Sequence, residues 1–279
     1  MSGEAAYPAP AKLNLTLRVT GRRADGYHLL QTVFQFIDYS DTLRFAVRED
    51  GAVVRGDAVP GVPETEDLTL RAARLLQQAG AVRLGATVTL EKRLPVGGGL
   101  GGGSSDAATT LIALNRLWRL DWPRARLQEL ALSLGADVPV FVFGESALGE
   151  GIGDKLTALK LPPAWYLVLL PPASVKTERV FQDPDLIRDS IPTKIPPFSA
   201  ASAGNDLEPV VCRLYPEVAR HLAWLRQFGA ARMTGSGACV FAEFGTEAAA
   251  RVVMDKLPAT MRGVVARGLP HHPLREMIG

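Results

Sequence analysis

The chain has little cysteine and almost no net charge. Its two cysteines, Cys212 and Cys239, are too few for a disulfide framework and lack metal-ligand spacing, so we expect reduced structural thiols. The net charge is +2, and the basic residues are scattered rather than gathered in runs interleaved with aromatic residues. This pattern disfavours a nucleic-acid partner and favours a small-molecule substrate.

Long apolar runs are also missing. No uninterrupted run approaches the roughly 20 residues that a membrane-spanning helix needs, and residues 1–10 lack the charged and then apolar pattern of a secretory signal. We therefore expect a cytoplasmic protein with no membrane partner. As a separate expectation, the protein is a monomer or a homodimer. A hydrophobic content of 47% and a charged content of 22% indicate a globular chain with one large or two modest domains.

Glycine, by contrast, is concentrated in one stretch, where six of the seven positions from Gly97 to Gly103 are glycine. The preceding residues 86–94 alternate in hydrophobicity as a half-buried strand does. The apolar residues that follow, from Ala107 to Trp118, repeat at helical spacing, and Ser104, Ser105 and Asp106 are the candidate caps of that helix. Free backbone N–H groups at a helix start bind phosphate, so this pattern predicts a phosphate site rather than a flexible linker.

Two common phosphate loops fit this stretch poorly. A Walker A loop needs lysine where the chain has Ser104. A dinucleotide fingerprint matches formally at Gly97, Gly99 and Gly102, but Asp121 is a poor ribose ligand because it precedes a proline-broken, helix-like segment. The predicted elements also lack the β-α-β alternation of a doubly wound sheet, which disfavours a dehydrogenase.

Polar residues on the first predicted strand are a second feature. Residues 8–18 place Leu13, Leu15 and Leu17 on one face and Lys12, Asn14 and Thr16 on the other. A glycine-rich turn then leads to Tyr27 and His28 and into a second predicted strand, residues 29–37. The pair could be ordinary strand residues, or could supply an aromatic platform and a polar edge for a heterocyclic base.

Asp137 lies in a predicted connection. A helix over residues 127–134 is expected to end at Gly135, and the apolar run 138–143 cannot continue it. The position alone is compatible with a turn-forming aspartate and with a catalytic one.

Four segments, in this order, carry a resemblance to a known family. They are P-A-K-L-N-L, D-G-Y-H, G-G-G-L-G-G-G-S-S and G-A-D-V-P-V-F, and together with the flanking sequence they span residues 8 to about 244. The glycine segment resembles that of the GHMP kinases, the superfamily of galactokinase, homoserine kinase, mevalonate kinase and phosphomevalonate kinase. The full set is similar to the family within it that phosphorylates 4-diphosphocytidyl-2-C-methyl-D-erythritol.

The resemblance implies a two-domain α+β fold. Residues 1–160 would form an ATP-binding domain like domain 2 of ribosomal protein S5, and residues 161–279 a ferredoxin-like GHMP kinase domain. The implied reaction is ATP-dependent phosphorylation of the 2-hydroxyl of 4-diphosphocytidyl-2-C-methyl-D-erythritol, in the non-mevalonate route to isoprenoid precursors. A sibling kinase of the homoserine or mevalonate type is the alternative.

The resemblance also assigns roles to single residues. Lys12 and Asp137 match the catalytic pair, and Ser105 matches a ligand of Mg²⁺. The substrate-binding positions are Asn14, Tyr27, His28, Thr177 and Phe181. The ATP-binding positions are Pro95, Val96, Gly97, Gly98, Gly99, Leu100, Gly101, Gly102, Gly103, Ser104 and Ser105. Asp106 is an unexpected charge beside a triphosphate, and we expect it to cap the helix and face away from the loop.

Three segments nearer the C-terminus have weaker signals. After the glycine run at residues 97–103 and a glycine-rich turn at residues 147–156, residues 233–241 form a third glycine loop. It resembles the family's C-terminal motif, which lies against the phosphate region. Asn205 or Asp206 is expected to cap a helix. His271 and His272 have no acid or cysteine partner nearby in the sequence, so a solvated tail is expected.

Overall fold

The protein is described by a computed structural model that covers residues 5–58, 62–192 and 204–278. The first two strands, β1 (Tyr7–Arg22) and β2 (His28–Arg48), form a long antiparallel pair. Both are longer than the alternating segments predicted from the sequence. The predicted inner face of β1 is buried, and its polar face is buried as well.

The N-terminal half continues with β3 (Val53–Arg55), α1 (Leu68–Ala79) and β4 (Gly85–Glu91). After the glycine loop come α2 (Gly102–Leu117), α3 (Arg124–Leu134) and α4 (Val138–Phe143). Strand β4 pairs antiparallel with β2 and parallel with β3. The helices cover one face of this sheet and enclose the first core, in which Phe36, Leu111 and Phe141 are buried.

The chain then crosses to its second half. Strands β5 (Ala147–Glu150) and β6 (Lys155–Ala158) form a hairpin on β2. The remaining elements include the strands β7 (Trp165–Leu169), β8 (Arg232–Met233), β9 (Val240–Phe244) and β10 (Gly263–Leu269). The helices of this second half are α5 (Thr177–Gln182), α6 (Glu208–Leu214), α7 (Pro216–Leu225) and α8 (Glu247–Met254). Short 3₁₀ turns cover Glu64–Glu66 and Arg275–Met277.

One continuous sheet path joins the two halves, in the order β3-β4-β2-β10-β7-β9-β8. Strand β10 makes the link, because Gly268 and Leu269 pair with β2 while the rest of the strand pairs with β7. Leu13 and Leu15 of β1 pack in one core with Tyr166 and Phe241 from the second half. The architecture is the α+β arrangement predicted from the sequence; the boundary at residue 160 falls between β6 and β7 and stays a prediction.

The end of the chain differs from the solvated tail that was expected. His272 is 2% exposed, and its ring lies edge-on to Phe36 and Phe141 in the first core. Its Nδ1 accepts a hydrogen bond from Leu274 N at 3.1 Å. Apolar neighbours supplied by α4 and β2 therefore bury a histidine that has no local partner in the sequence. None of the helices in the described ranges is long and apolar enough to cross a membrane.

Candidate active site

The glycine loop reaches its conformation through three glycines with left-handed backbone angles. The φ angles of Gly97, Gly99 and Gly101 are 70°, 76° and 72°, a region that costs residues with a Cβ free energy. Gly99 is also the site of a close approach, since a Cβ there would lie 2.3 Å from the carbonyl oxygen of Thr234. The loop is held from both sides, because Lys12 N donates to Leu100 O at 2.9 Å and Cys239 N donates to Gly98 O at 3.0 Å.

The start of α2 differs from the prediction. The helix begins at Gly102 with Gly101 in the capping position, so Ser104, Ser105 and Asp106 lie inside its first turns and do not cap it. Glycines without side chains leave the free N–H groups of the first turn open to the cavity in front of them. This exposes more backbone donors to a phosphate than a side-chain cap would.

Asp106 has a different role from the one expected. It is 3% exposed, and its Oδ2 lies 2.8 Å from the Nζ of Lys92. The same ammonium contacts the fully buried Asp41, which accepts hydrogen bonds from the backbone N–H groups of Arg93 and Leu94 at 2.5 and 2.7 Å. The cluster of Asp41, Lys92 and Asp106 therefore ties β2, the entrance of the glycine loop and α2 together.

Burial and mutual contact shift the pKa values of two members of this cluster, Asp106 and Lys92. Burial raises the pKa of Asp106 to about 7, partly offset by the neighbouring ammonium of Lys92. The pKa of Lys92 is raised: burial alone would lower it, but its two carboxylate partners outweigh that effect. Sequence reasoning missed the cluster, because its three members are far apart along the chain and the lysine lies in no recognised motif.

A cavity of about 390 Å³ opens in front of the loop. Nine of the eleven predicted ATP-binding residues line it, and the exceptions are Leu100 and Ser105. Leu100 is 1% exposed and packs in the core between the two halves of the chain. Ser105 is completely buried, and its Oγ has no hydrogen-bond partner among the described residues.

A second cavity, of about 290 Å³, lies on the other side of Asp137. Five residues line both cavities: Gly99, Ser104, Asp137, Thr177 and Ser236. The two spaces therefore meet at the Asp137 carboxylate, between the glycine loop and the second half of the chain. A donor in one space and an acceptor in the other would have their reacting groups at this junction.

The predicted catalytic pair is in contact. Lys12 Nζ lies 3.1 Å from Asp137 Oδ2 and donates to Asn14 Oδ1 at 2.5 Å. Asn14 is fixed in turn, because its Nδ2 donates to Thr32 Oγ1 at 2.8 Å and its N–H donates to Thr234 Oγ1 at 2.9 Å. The polar face of β1 is therefore an organised hydrogen-bonded network, even though it is buried.

Asp137 is placed by the chain break that the sequence predicted. Helix α3 ends at Leu134 with Gly135 following, and α4 begins directly after Asp137 with Pro139 in its first turn. The Asp137 side chain makes no capping hydrogen bond to α4 and stays 39% exposed. Its carboxylate is therefore free to contact a ligand.

The predicted substrate residues lie at different distances from the second cavity. Asn14, Thr177 and Phe181 line it, and Thr177 Oγ1 lies 2.7 Å from Ser236 Oγ. His28 stacks on Phe181 with ring centroids 4.8 Å apart, just beyond the cavity lining. Tyr27 is 60% exposed at the same end and lines neither of the two cavities.

The third glycine loop lies against the first, and its connection is a tight hairpin between β8 and β9. Asn205 holds it, because its Nδ2 donates to Met233 O at 2.9 Å and to Gly235 O at 2.8 Å. The predicted helix cap at this position is wrong, since α6 begins at Glu208 with Leu207 in the capping position and no side-chain cap hydrogen bond. Asn205 Oδ1 accepts from Leu207 N at 2.9 Å in the turn before the helix, and Asp206 accepts from Val19 N at 2.8 Å. The Asn205 amide group therefore joins the third glycine loop to the turn before α6, and Asp206 binds β1.

Comparison with known proteins agrees with this geometry. The chain matches the family described as GHMP kinases N terminal domain over residues 67–145, and GHMP kinases C terminal over residues 197–263. It is 61% identical over 276 residues to the 4-diphosphocytidyl-2-C-methyl-D-erythritol kinase of Nitrosospira multiformis, covering 98% of this chain and 94% of that protein. It is 62% identical over 273 residues to the corresponding kinase of Thiobacillus denitrificans, covering 98% of each.

A solved structure is similar over nearly the whole chain. The crystal structure of a 4-(cytidine 5'-diphospho)-2C-methyl-D-erythritol kinase superposes with a TM-score of 0.81 at 33% identity, covering 95% of this chain and 99% of that one. The identities and the coverage both lie far above what a shared fold alone requires. The chain therefore belongs to the 4-diphosphocytidyl-2-C-methyl-D-erythritol kinase family of the GHMP kinases.

Proposed function

We propose that this protein transfers the γ-phosphoryl group of ATP to the 2-hydroxyl of 4-diphosphocytidyl-2-C-methyl-D-erythritol, in the non-mevalonate route to isoprenoid precursors. The observation that carries the proposal is the junction of the two cavities at Asp137, whose carboxylate contacts the buried ammonium of Lys12. Phosphoryl transfer depends mainly on positioning and charge neutralisation, and this arrangement supplies both.

The first cavity is the proposed ATP site. GHMP kinases use ATP as phosphate donor, and the loop from Pro95 to Ser104, except Leu100, lines this space. The N–H groups at the start of α2 and the positive end of its dipole favour the β- and γ-phosphates. The base would lie away from the junction, toward the wall that Val62, Leu68 and Leu90 form.

The second cavity is the proposed site of the hydroxyl substrate. Asn14 and Thr177 lie near the junction, where the methylerythritol end would bind. The stacked rings of His28 and Phe181 lie at the far end, and Tyr27 is exposed beside them. Aromatic rings with a polar edge suit a pyrimidine base, so the cytidine end is assigned to these three residues.

The chemistry at the junction needs a proton acceptor and a local positive charge. Asp137 orients the 2-hydroxyl and accepts its proton as the oxygen–phosphorus bond forms and the bond to the leaving ADP breaks. Lys12 balances the negative charge of the carboxylate and of the transferring group. Asn14 keeps the ammonium in place through its 2.5 Å hydrogen bond.

Magnesium is proposed as the ion that accompanies ATP. Among the described residues, no group of three or more histidine, cysteine, aspartate or glutamate side chains could hold a metal by itself. Mg²⁺ commonly binds through one or two carboxylates together with substrate phosphates. Ser105 Oγ, the ligand that the resemblance implies, has no partner among the described residues but is fully buried and does not line the ATP cavity. A bound ion would therefore be held mainly by the phosphates, whose charge it would neutralise.

A coupled assay of ADP release tests the proposal. Purified protein with ATP and Mg²⁺ is given 4-diphosphocytidyl-2-C-methyl-D-erythritol, homoserine or mevalonate in parallel, and product phosphorylated at the 2-hydroxyl is identified by ³¹P NMR. Turnover is expected only with the first substrate. Folded, ATP-binding protein that turns over only homoserine or mevalonate would replace this proposal with the sibling kinase.

A further inference from the structure

Arg188 lies behind the His28–Phe181 stack and all three of its guanidinium nitrogens are engaged. Its Nη1 donates to Leu186 O at 2.9 Å, and its Nη2 donates to Phe181 O at 3.0 Å and to Asp183 O at 2.7 Å. These bonds hold the guanidinium on the end of α5 and on the segment that follows it. The remaining nitrogen, Nε, donates to His28 Nε2 at 3.2 Å.

This last hydrogen bond determines where the His28 ring carries its proton. Arginine has N–H donors but no acceptor, and it stays protonated in proteins. The Nε2 atom of His28 must therefore accept, which leaves the ring proton on Nδ1. Among the described residues His28 Nδ1 makes no hydrogen bond, so the Nδ1–H is left without a protein partner.

The charge state of the ring follows from the same contacts. Burial lowers the pKa of His28, and the nearby cations of Arg188 and Arg22 lower it further. A protonated ring would carry a hydrogen on Nε2 pointing at the Arg188 N–H, which is electrostatically unfavourable. His28 is therefore a neutral imidazole that offers one donor.

We propose that Arg188 is a positioning residue that fixes His28 as its Nδ1–H tautomer, and that this N–H donates a hydrogen bond to an acceptor on the substrate base. The fixed donor therefore favours cytosine over uracil. The proposal rests on the proposed function for the identity of the base. N3 of cytosine is an acceptor, whereas N3 of uracil carries a hydrogen. A free imidazole could switch tautomer and accept from uracil N3–H, but a ring held by Arg188 cannot.

The tautomer can be measured without any substrate. The chain has 4 histidines, so ¹⁵N NMR of protein labelled at histidine gives few resonances, and the His28→Gln variant assigns the one of interest. The wild type is expected to show a protonated Nδ1 and an unprotonated Nε2 at neutral pH. In Arg188→Met the His28 signals are expected to move toward a mixture of tautomers, whereas Arg188→Lys, which also donates and cannot accept, retains part of the wild-type pattern.

Specificity is the second readout. The ratio of kcat/KM for the cytidine substrate to that for its uridine analogue is measured in the wild type, in Arg188→Met and in Arg179→Met. Arg179 is exposed on α5, which makes it the matched control. In Arg188→Met the His28 tautomer is no longer fixed, so the cytidine-to-uridine ratio of kcat/KM is expected to fall by at least ~10-fold, through KM more than kcat. The reason is that an imidazole free to change tautomer can also bind the uracil base. The control is expected to keep the wild-type ratio.

The outcomes separate the two levels of the proposal. A protonated Nε2 in the wild type would overturn the tautomer assignment whatever the substrate is. A mixed tautomer in Arg188→Met with an unchanged cytidine preference would overturn the specificity role. A protonated Nδ1 together with no turnover of the cytidine substrate would support the tautomer assignment. It would overturn the proposed function and, with it, the proposed recognition of cytosine by His28.

Discussion

Lys12 Nζ lies 3.1 Å from Asp137 Oδ2, and the two side chains differ sharply in exposure, at 3% and 39%. The ammonium is fixed in the interior by Asn14, while the carboxylate faces the junction of the two cavities. A buried cation beside an open carboxylate is the arrangement that a proton acceptor in a charged reaction needs, because the acceptor can reach substrate without leaving its partner.

The first prediction concerns Asp137 as the proposed proton acceptor. Asp137→Asn keeps the shape of the side chain but removes its charge and most of its basicity, so kcat is expected to fall by roughly 10²–10⁴-fold. ATP affinity, measured by calorimetry, is expected to change little. Asp255→Asn, at the exposed end of α8, is the matched control and should retain full activity. A normal kcat with a raised KM would assign Asp137 to binding instead.

The second prediction concerns the closest backbone approach in the glycine loop. In Gly99→Ala the new Cβ would collide with Thr234 O and would force alanine into a φ of 76°. We expect the free energy of unfolding to fall by ~1–3 kcal/mol and the KM for ATP to rise, since the loop must move away from the third glycine loop. Denaturant unfolding and steady-state kinetics measure the two effects.

Gly229→Ala provides the control for this substitution. A Cβ at Gly229 meets nothing within 4 Å, so stability and KM should stay close to the wild-type values. Equal effects of the two substitutions would show that glycine content, rather than the contact with Thr234, matters for the loop.

Much of this site could be predicted because its signals are local. The glycine run between a strand and a helix, the break at Gly135 before Asp137 and the alternation of Lys12 and Asn14 on β1 are each readable within about ten residues. The family resemblance added roles to these positions. The alternating pattern alone did not decide whether the polar face of β1 is buried or exposed to solvent.

The parts that could not be predicted depend on contacts between distant segments. Asp106 looked like a cap because aspartate often precedes a helix, but Lys92 and Asp41 draw it into the interior. Asn205 also looked like a cap, yet its side chain satisfies carbonyl groups of the third glycine loop. Local propensity was outweighed in both cases by the need to pair buried polar groups.

The third prediction follows from Asp106. Burial raises its pKa to about 7 in the folded protein, above the usual value near 4 in the unfolded chain. Between these values the folded state holds a proton that the unfolded state has lost, so this group's contribution to stability is present below pH ~4 and is lost as pH rises toward ~7. In Asp106→Asn this dependence disappears.

Denaturant unfolding at a series of pH values tests whether the contribution of Asp106 to stability falls as pH rises. The free energy of unfolding of Asp106→Asn minus that of the wild type is expected to increase from pH 4 to pH 7, by up to ~1.4 kcal/mol per pH unit. Asp57→Asn, an exposed carboxylate in the same half of the chain, should show a smaller slope. A difference that is flat with pH would mean that Asp106 ionises normally and stays paired with Lys92.

The fourth prediction concerns Ser105 and separates a structural role from a metal-binding one. Its buried Oγ lacks a partner in the part of the chain that the structure describes, so removing it costs no hydrogen bond there, and Ser105→Ala should be as stable as the wild type or more so. If this hydroxyl binds Mg²⁺, the Mg²⁺ concentration that gives half-maximal activity should rise by about tenfold or more. Ser133→Ala, on α3, is the control; an unchanged Mg²⁺ requirement in Ser105→Ala would reject the metal role.

The fifth prediction concerns His272 in acid. Burial, helped by the charge of Arg124, lowers the pKa of His272 to about 3, whereas an unfolded histidine takes up its proton near pH 6.5. The stability that the neutral buried ring contributes is therefore complete above pH ~6.5 and decreases as pH falls toward ~3, by up to ~1.4 kcal/mol per pH unit. His272→Gln should unfold more easily at neutral pH but show a shallower loss of stability in acid.

The neighbouring histidine makes this test specific. His271 is exposed, so His271→Gln keeps the wild-type slope if burial is the cause, and the two variants differ only in which histidine is replaced. His272 N also donates to Gly144 O at 2.9 Å, directly after α4. Protonation of the ring would therefore loosen the C-terminal segment from α4, the helix that begins beside Asp137, and equal acid slopes in the two variants would exclude that coupling.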